Sequence, residues 1–214
     1  MGRGSALSAV IFDCDGTLVD SEPLSAQTWR QVVGPLGYEI TDADVAAVVG
    51  SSYPRTHAFF ASRVALPAPE VLLPELNRVL FGLIDERLEV FEDAITAVAE
   101  LRARGVPIAV ASGSVRARLD RTLARAGLSF EVTVAGDEVE HGKPSPDMFL
   151  RAASRLGVPP ERCVVVEDSA PGVAAGRAAG MPTLGVRRVS GIDLSAATSV
   201  VDVVSADAIL AMLP

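Results

Sequence analysis

Short apolar segments recur along the chain, and each is followed by a stretch with helical periodicity. Because apolar residues run through each segment without alternation, we expect strands buried on both faces, as in a parallel sheet. The helical patterns lie at 93–104, 115–126, 146–156 and 171–179, and a glycine follows each one. This alternation predicts a doubly wound α/β fold with a parallel sheet of about five strands. The candidate strands are Ala9–Phe12, Pro107–Ala111, Val132–Ala135, Cys163–Val166 and Thr183–Val186.

One connection departs from this alternation. Residues 20–88 have little strand pattern and read as several helices separated by glycines and prolines, among them Pro54, Pro69 and Pro74. A connection of that length, with its own amphipathic patterning, predicts an inserted helical subdomain rather than a loop. We therefore expect a core formed by residues 1–19 and 89–214. Since the insertion leaves from the carboxyl end of a strand, where open α/β sheets bind ligands, we expect it to act as a lid.

Composition and charge narrow the class of protein. The chain has 214 residues, and its 49% hydrophobic content can form a sizeable core, which rules out disorder. A net charge of −8 argues against a nucleic-acid partner, because such proteins present clustered positive charge. No apolar run approaches the ~18 residues of a membrane span, and Asp13 comes too early for a secretory signal. Cys14 and Cys163 do not form a disulfide scaffold, so we expect a cytoplasmic protein. No sequence feature indicates an obligate protein partner.

Carboxylates follow two of the candidate strands. Asp13 and Asp15 come directly after the first strand, and Glu167 and Asp168 follow the fourth. Because parallel strands end at the same edge of a sheet, we expect these acids to converge. Buried acids this close repel one another unless a cation or different protonation states relieve the repulsion. A hard cation bound by Asp13, Asp168 and a backbone carbonyl would do so, whereas an ordinary polar turn is the alternative for Asp13 and Asp15.

Two other strands lead to groups that can bind a phosphate. Ser112 and Gly113 follow the second strand and offer a hydroxyl and backbone N–H groups, although a helix cap is the alternative for Ser112 and Ser114. Lys143 follows the third strand, and it is the single lysine among 19 basic residues. Pro144 keeps it out of the helical region. Together with the acids, these groups match phosphoryl transfer to a carboxylate in the presence of Mg²⁺.

The same residues resemble the four motifs of the haloacid dehalogenase superfamily, in the phosphatase branch with a small helical cap. The resemblance covers essentially the whole chain. It implies a Mg²⁺-dependent phosphomonoester hydrolase that acts on a small phosphorylated metabolite, with a sugar phosphate as the closest match. The matching segments are 13–22 for the first motif, Ser112 for the second, Lys143–Pro144 for the third and Glu167–Asp168 with Gly172 for the fourth.

The resemblance implies a role for each motif residue. Asp13 would attack phosphorus and become an aspartyl phosphate. Asp15 would protonate the leaving oxygen and then activate the water that hydrolyses the intermediate. Thr17 would orient Asp15 by a hydrogen bond, while Ser112, with Gly113 beside it, and Lys143 would bind the phosphoryl group. Mg²⁺ would be held by the carboxylates of Asp13 and Asp168 and by the Asp15 carbonyl, with Glu167 nearby.

Some residues of this chain differ from those of related subfamilies, and these differences exclude or weaken other reactions. Asp15 argues against carbon–halogen chemistry, because true dehalogenases lack this second acid. The absence of lysine from residues 20–88 removes a Schiff-base hydrolase and weakens a sugar phosphomutase of the beta-phosphoglucomutase type. Ser25 weakens the mutase further, since it stands where that subfamily carries a histidine. The mutase nevertheless stays the nearest alternative, and a non-catalytic phosphoacceptor or regulatory protein is the alternative from another class.

The insertion offers three candidate contacts to the non-reacting part of a substrate: Glu22, Arg55 and His57. Solvated surface is the alternative for Arg55 and His57. Trp29 is expected to belong to the core of the insertion rather than to a substrate platform.

Overall fold

The alternation of strand and helix organises the chain, which is described for residues 8–214 by a computed structural model. The strands are β1 (Ala9–Phe12), β2 (Val19–Asp20), β3 (Glu89–Val90), β4 (Ile108–Ala111), β5 (Val132–Val134), β6 (Cys163–Glu167), β7 (Thr183–Val186) and β8 (Ser199–Val201). The helices are α1 (Glu22–Val33), α2 (Asp42–Val48), α3 (Tyr53–Ala61), α4 (Pro69–Arg87), α5 (Glu92–Ala103), α6 (Arg116–Arg125), α7 (Asp147–Leu156), α8 (Ala170–Ala178) and α9 (Ala206–Leu210). No helix of this described part of the chain is long and apolar enough to cross a membrane.

The main sheet is parallel and has the order β5-β4-β1-β6-β7-β8. The chain adds β4 and β5 on one side of β1 and then adds β6, β7 and β8 on the other. The strand order therefore reverses at β1, and ligands bind at the carboxyl ends of strands beside such a reversal. The short strands β2 and β3 form a separate two-stranded sheet.

The predicted fold class is confirmed, and the number of strands differs by one. The five predicted strands form with bounds within a residue of those expected, but the sheet has six strands in the described residues. The additional strand, β8, has three residues, lies at the edge and is partly exposed. It therefore lacks the long apolar run by which a buried strand is found in a sequence.

Helix α7 shows how the sheet is covered. Met148, Phe149 and Ala152 are completely buried and pack with residues of β1, β4 and β6, whereas Arg151 and Arg155 face outward. This spacing of three and four residues is that of one apolar helix face. Burial of a side chain of the size of Phe149 contributes roughly 1.5–3 kcal/mol to the stability of the fold. The packing also fixes the start of α7, just after the loop that carries Lys143.

The described chain divides into two compact units, one made of residues up to Asp20 and from Val90 onward, the other of Ser21–Glu89. The helical unit contains α1–α4 and has an apolar core of its own. There Trp29 packs on Phe60, with ring centroids 5.1 Å apart, and also contributes to the cluster around Leu72 and Leu76. Trp29 thus belongs to the core of this unit, as expected.

Pro74 does not separate two helices, contrary to the sequence pattern, because α4 runs through it from Pro69 to Arg87. A proline inside a helix removes one backbone hydrogen bond and costs roughly 3 kcal/mol. Leu72, Leu76 and Leu80 are buried on one face of α4 on either side of the proline. Their burial offsets the lost bond, and local propensity alone does not reveal this tertiary contribution.

Candidate active site

The ammonium group of Lys143 joins two buried carboxylates at the ends of different strands, Asp13 just after β1 and Glu167 in the last position of β6. Its Nζ donates to Asp13 Oδ1 at 2.5 Å and to Glu167 Oε1 at 2.6 Å. Burial alone would lower the pKa of Lys143, but the charges of Asp13 and Glu167 outweigh it and raise that pKa above its ordinary value. The lysine therefore stays charged at neutral pH and stabilises negative charge at the end of β1.

Three carboxylates lie close together around this lysine. Asp13, Glu167 and Asp168 each offer an oxygen within 4.8 Å of the others, and all three are largely or fully buried. Burial raises the pKa of Asp13 to about 7; Lys143 opposes this shift, while Glu167 adds to it. Burial and the neighbouring charge of Glu167 likewise raise the pKa of Asp168. A crowded set of oxygen donors of this kind fits a hard divalent cation such as Mg²⁺.

Gly16 allows Asp168 to approach the turn after β1. Its φ is +84°, a backbone conformation that side chains disfavour. A Cβ atom at this position would also lie 2.2 Å from Asp168 Oδ2. Glycine is thus required both for the direction of the turn and for the space that the carboxylate occupies.

Gly172, in the first turn of α8, plays a similar part for Glu167. The Glu167 carboxylate is fully buried, and its Oε2 accepts hydrogen bonds from the backbone N–H and hydroxyl of Ser169, at 2.7 and 2.8 Å. A Cβ atom on Gly172 would lie 1.6 Å from Glu167 Oε1, the atom that also binds Lys143. The position of this acid therefore depends on a glycine five residues further along the chain.

Thr17 contacts a different acid from the one expected. Its hydroxyl donates to Asp168 Oδ1 at 3.0 Å, so the expected hydrogen bond from Thr17 to Asp15 is wrong for this structure. The physical reason is the turn at Gly16, whose positive φ separates the two side chains and directs Thr17 toward the end of β6. Thr17 thus orients a candidate metal ligand rather than the second acid of the motif.

Asp15 is instead held by three groups, two from the loop between β4 and α6 and one from α6 itself. Its Oδ2 accepts from Ser114 Oγ at 2.7 Å and from Ser112 Oγ at 3.1 Å, and its Oδ1 accepts from Arg118 Nη2 at 2.8 Å. The expected convergence of Asp15 and Ser112 is therefore present. Sequence reasoning missed Arg118, and it interpreted Ser114 as a helix cap. Ser114 precedes α6 by two residues and Arg118 lies in its first turn, so no helical spacing in the sequence links the two.

The three residues of the insertion that were expected to contact the substrate differ in how far they are buried within the helical unit. Glu22 is half-buried in the first turn of α1, and Arg55 is exposed on α3. His57 is buried, its Nε2 lies 2.9 Å from the carbonyl oxygen of Pro67, and its ring packs against that of Tyr53 in a T-shaped arrangement. This position inside the unit disfavours His57 as a substrate contact, because its ring is already packed and hydrogen-bonded.

Comparisons with known proteins agree with this geometry. The family model described as haloacid dehalogenase-like hydrolase matches residues 7–180, and the chain belongs to this family. The family predicted from the four motifs is thus confirmed. Over 183 residues the chain is 37% identical to the fructose-1-phosphate phosphatase YqaB of Escherichia coli K12, an alignment that covers 84% of this chain and 96% of that protein.

Two further similarities extend this result. The chain is 33% identical over 184 residues to a phosphorylated carbohydrates phosphatase of Thermotoga maritima, with 82% of each chain covered. It also resembles the crystal structure of a haloacid dehalogenase family hydrolase from Deinococcus radiodurans R1 with bound phosphate and sodium. That comparison gives a TM-score of 0.71 and 33% identity, and it covers 92% of each chain.

We predict that Gly172→Ala destabilises the protein by about 1–3 kcal/mol, because the added methyl group displaces the buried carboxylate of Glu167. Urea denaturation measures the free energy of unfolding. Gly82→Ala is the matched control: a Cβ atom there has no neighbour within 4 Å, and alanine favours the interior of α4. Equal stability of the Gly172→Ala variant and the wild type would contradict the packing described here.

We also predict that Mg²⁺ raises the midpoint of thermal unfolding and that Asp168→Asn abolishes the effect. A ligand at about 100 times its Kd adds about 2.7 kcal/mol to the stability of the state that binds it. Asp193→Asn, a change at an exposed carboxylate outside the cluster, should leave the Mg²⁺ shift intact. A shift that persists in Asp168→Asn would place the metal elsewhere.

Proposed function

We propose that this protein is a Mg²⁺-dependent phosphomonoester hydrolase that acts on a small phosphorylated metabolite, and that the metabolite is a sugar phosphate. The observation that carries the proposal is the buried Asp13 carboxylate, bound to Lys143 at the end of the central strand β1. The names of the relatives in Escherichia coli and Thermotoga maritima support the substrate class, since both are phosphatases of phosphorylated sugars or carbohydrates.

In the proposed reaction, Asp13 attacks the phosphorus atom, and the bond between phosphorus and the ester oxygen breaks. The product of this step is an aspartyl phosphate on Asp13, with the alcohol leaving as Asp15 supplies its proton. Water activated by Asp15 then hydrolyses the aspartyl phosphate and releases inorganic phosphate. Ser112, Gly113 and Lys143 bind the phosphoryl oxygens, and the charge of Lys143 favours the build-up of negative charge on them.

The carboxylates of Asp13 and Asp168 and the carbonyl of Asp15, with Glu167 beside them, would hold Mg²⁺. The bound cation would offset the negative charge of the phosphoryl group and of the acids around it. Asp13 and Glu167 also anchor Lys143, so the proposed metal and phosphoryl sites share these two acids. Thr17 and Gly16 then act indirectly, since both determine where Asp168 lies.

Residues 20–88 are proposed to act as a cap that selects the part of the substrate that does not react. Of the candidate contacts there, Glu22 and Arg55 stay in the proposal, and His57 does not. Arg55 is exposed and carries a charge that suits sugar hydroxyls or a second anionic group. A phosphate-release screen with Mg²⁺ over phosphorylated sugars, polyols, glycolate and nucleotides tests the substrate class.

We expect Asp13→Asn to abolish phosphate release while the protein stays folded, because an amide is too weak a nucleophile to attack phosphorus. The assay is hydrolysis of p-nitrophenyl phosphate in Mg²⁺, with circular dichroism as the measure of folding. Asp193→Asn, the same change at an exposed site, is the control. Near wild-type turnover by Asp13→Asn would exclude the proposed mechanism.

Product analysis separates the proposal from its two alternatives. With a hexose 1-phosphate as substrate, free phosphate supports the hydrolase, and an isomerised sugar phosphate supports the mutase. A broad panel of metabolites that yields no phosphate at all would favour the non-catalytic phosphoacceptor.

We further expect Lys143→Arg to lower kcat/KM at least about 100-fold, because a planar guanidinium cannot replace a compact ammonium between two acids, and small displacements at a reacting centre are costly. The two acids bind Nζ at 2.5 and 2.6 Å, so both hydrogen bonds depend on the position of one compact group. The reverse exchange at an exposed ion pair, Arg187→Lys, is the matched control. Unchanged kinetics of Lys143→Arg would show that the lysine has no part in the reaction.

A further inference from the structure

We infer that Arg118 and Ser114 are positioning residues that set the orientation of Asp15 and so control its assistance to the leaving group. The inference rests on the proposed function, in which Asp15 supplies a proton to the departing alcohol. It concerns two residues outside the motif positions: Ser114 in the loop after β4, and Arg118 in the first turn of α6.

The contacts around Asp15 bind both of its oxygens. Ser114 donates to Oδ2 at 2.7 Å, and Arg118 donates to Oδ1 at 2.8 Å, so the two residues hold the carboxylate from two sides. The side chains of Arg118 and Asp15 are only 21% and 22% exposed. A partly buried ion pair of this kind is screened less by solvent than a surface pair and restricts rotation of the carboxylate more strongly.

Ser112 also donates to Asp15, but its hydroxyl carries a single proton. In the proposed reaction the same proton is needed for a phosphoryl oxygen. A bound substrate and Asp15 therefore compete for Ser112, and the bond between Ser112 and Asp15 must break when the phosphoryl group binds. The contacts from Ser114 and Arg118 need not break, so both residues continue to hold the Asp15 carboxylate.

The backbone that carries Ser114 and Arg118 is fixed by the neighbouring loop after β5. The backbone N–H of Gly136 donates to the Ser114 carbonyl at 2.8 Å, and Asp137 accepts from the first backbone N–H of α6 at 2.9 Å. A Cβ atom on Gly136 would lie 2.3 Å from the Gly113 carbonyl oxygen, which shows how closely the two loops approach. Ser114 and Arg118 orient Asp15, and the loop that follows β5 in turn holds the backbone of these two residues.

Arg116 provides a contrast within the same helix. It lies two residues before Arg118, but its guanidinium binds Glu138, Asp120 and Thr133 rather than Asp15. Loss of Arg116 therefore removes two ion pairs at the start of α6 without removing the contact between Arg118 and Asp15. This difference separates a general effect on the helix from an effect on the carboxylate.

The leaving group supplies a readout that a purely structural role would not change. An alkyl phosphate releases a strongly basic alkoxide and needs the proton from Asp15, whereas p-nitrophenolate is a stable anion and leaves without one. Since kcat/KM reports the steps up to departure of the alcohol, later hydrolysis of the aspartyl phosphate does not affect it. A misoriented Asp15 should therefore lower kcat/KM for alkyl phosphates selectively.

The experiment compares kcat/KM for fructose 1-phosphate, or for the best alkyl phosphate in the screen, with kcat/KM for p-nitrophenyl phosphate. For Arg118→Met we expect the loss with the alkyl phosphate to exceed the loss with p-nitrophenyl phosphate at least about tenfold, within the range that general acid catalysis contributes. Ser114→Ala should lower the ratio of kcat/KM for the alkyl phosphate to kcat/KM for p-nitrophenyl phosphate as well, but by a smaller factor. Arg118→Lys should restore part of the ratio, because an ammonium can still donate to Oδ1.

Asp15→Asn is the reference, and Arg116→Met is the control, for which any loss should be equal with both substrates. One outcome is that Asp15→Asn lowers kcat/KM selectively for alkyl phosphates while neither Arg118→Met nor Ser114→Ala does so. In that case the inference is wrong and the proposed function stands. If Asp15→Asn shows no selectivity, or the wild type hydrolyses no alkyl phosphate, the proposed function fails and the inference fails with it. Thermal unfolding of each variant identifies any that do not fold, and Ser114→Ala, which removes one oxygen atom, then decides the question.

Discussion

The contact of one buried ammonium with two buried carboxylates is the interaction on which the rest of the site depends. Lys143 binds Asp13 and Glu167, and a third acid, Asp168, lies within 4.8 Å of both. Removing one partner of a buried ion pair typically costs 3–5 kcal/mol, because a charge is left without compensation. Gly16 and Gly172 are part of the same constraint, since a side chain at either position would occupy the space of an acid.

The parallel sheet is what brings these groups together. Asp13 follows β1, Ser112 follows β4, and Glu167 ends β6, so strands adjacent in the sheet but far apart in the chain end at one edge. Each strand is buried, which explains why its polar groups appear only where it ends. The site therefore forms only when the long-range strand pairs have formed, and its geometry is fixed by the core rather than by the loops themselves.

The sequence predicts the strands and the acids well, because both follow from patterns along the chain. A continuous apolar run identifies a buried strand, and an acid directly after that run must lie at the end of the strand, at the edge of the sheet. Contacts between side chains of distant elements leave no such pattern. Arg118 is one of many arginines and reaches Asp15 across 103 positions, while the direction of Thr17 depends on the backbone angle at Gly16. The burial of His57 likewise follows from the packing of the helical unit, and no local rule predicts it.

The reaction is easier to predict than the substrate, because the residues that would determine each lie in different units of the chain. The residues proposed for phosphoryl transfer belong to one compact unit, and their chemical types restrict what they can do. Residues 21–89 have a separate core around Trp29 and Phe60, so their exposed side chains can vary without disturbing either core. Arg55 and His57 lie two positions apart, yet one is exposed and the other is buried. Selection of the substrate is therefore expected to depend on surface positions of the helical unit that the packing leaves free to change, whereas Asp13, Glu167 and Lys143 are held by one another.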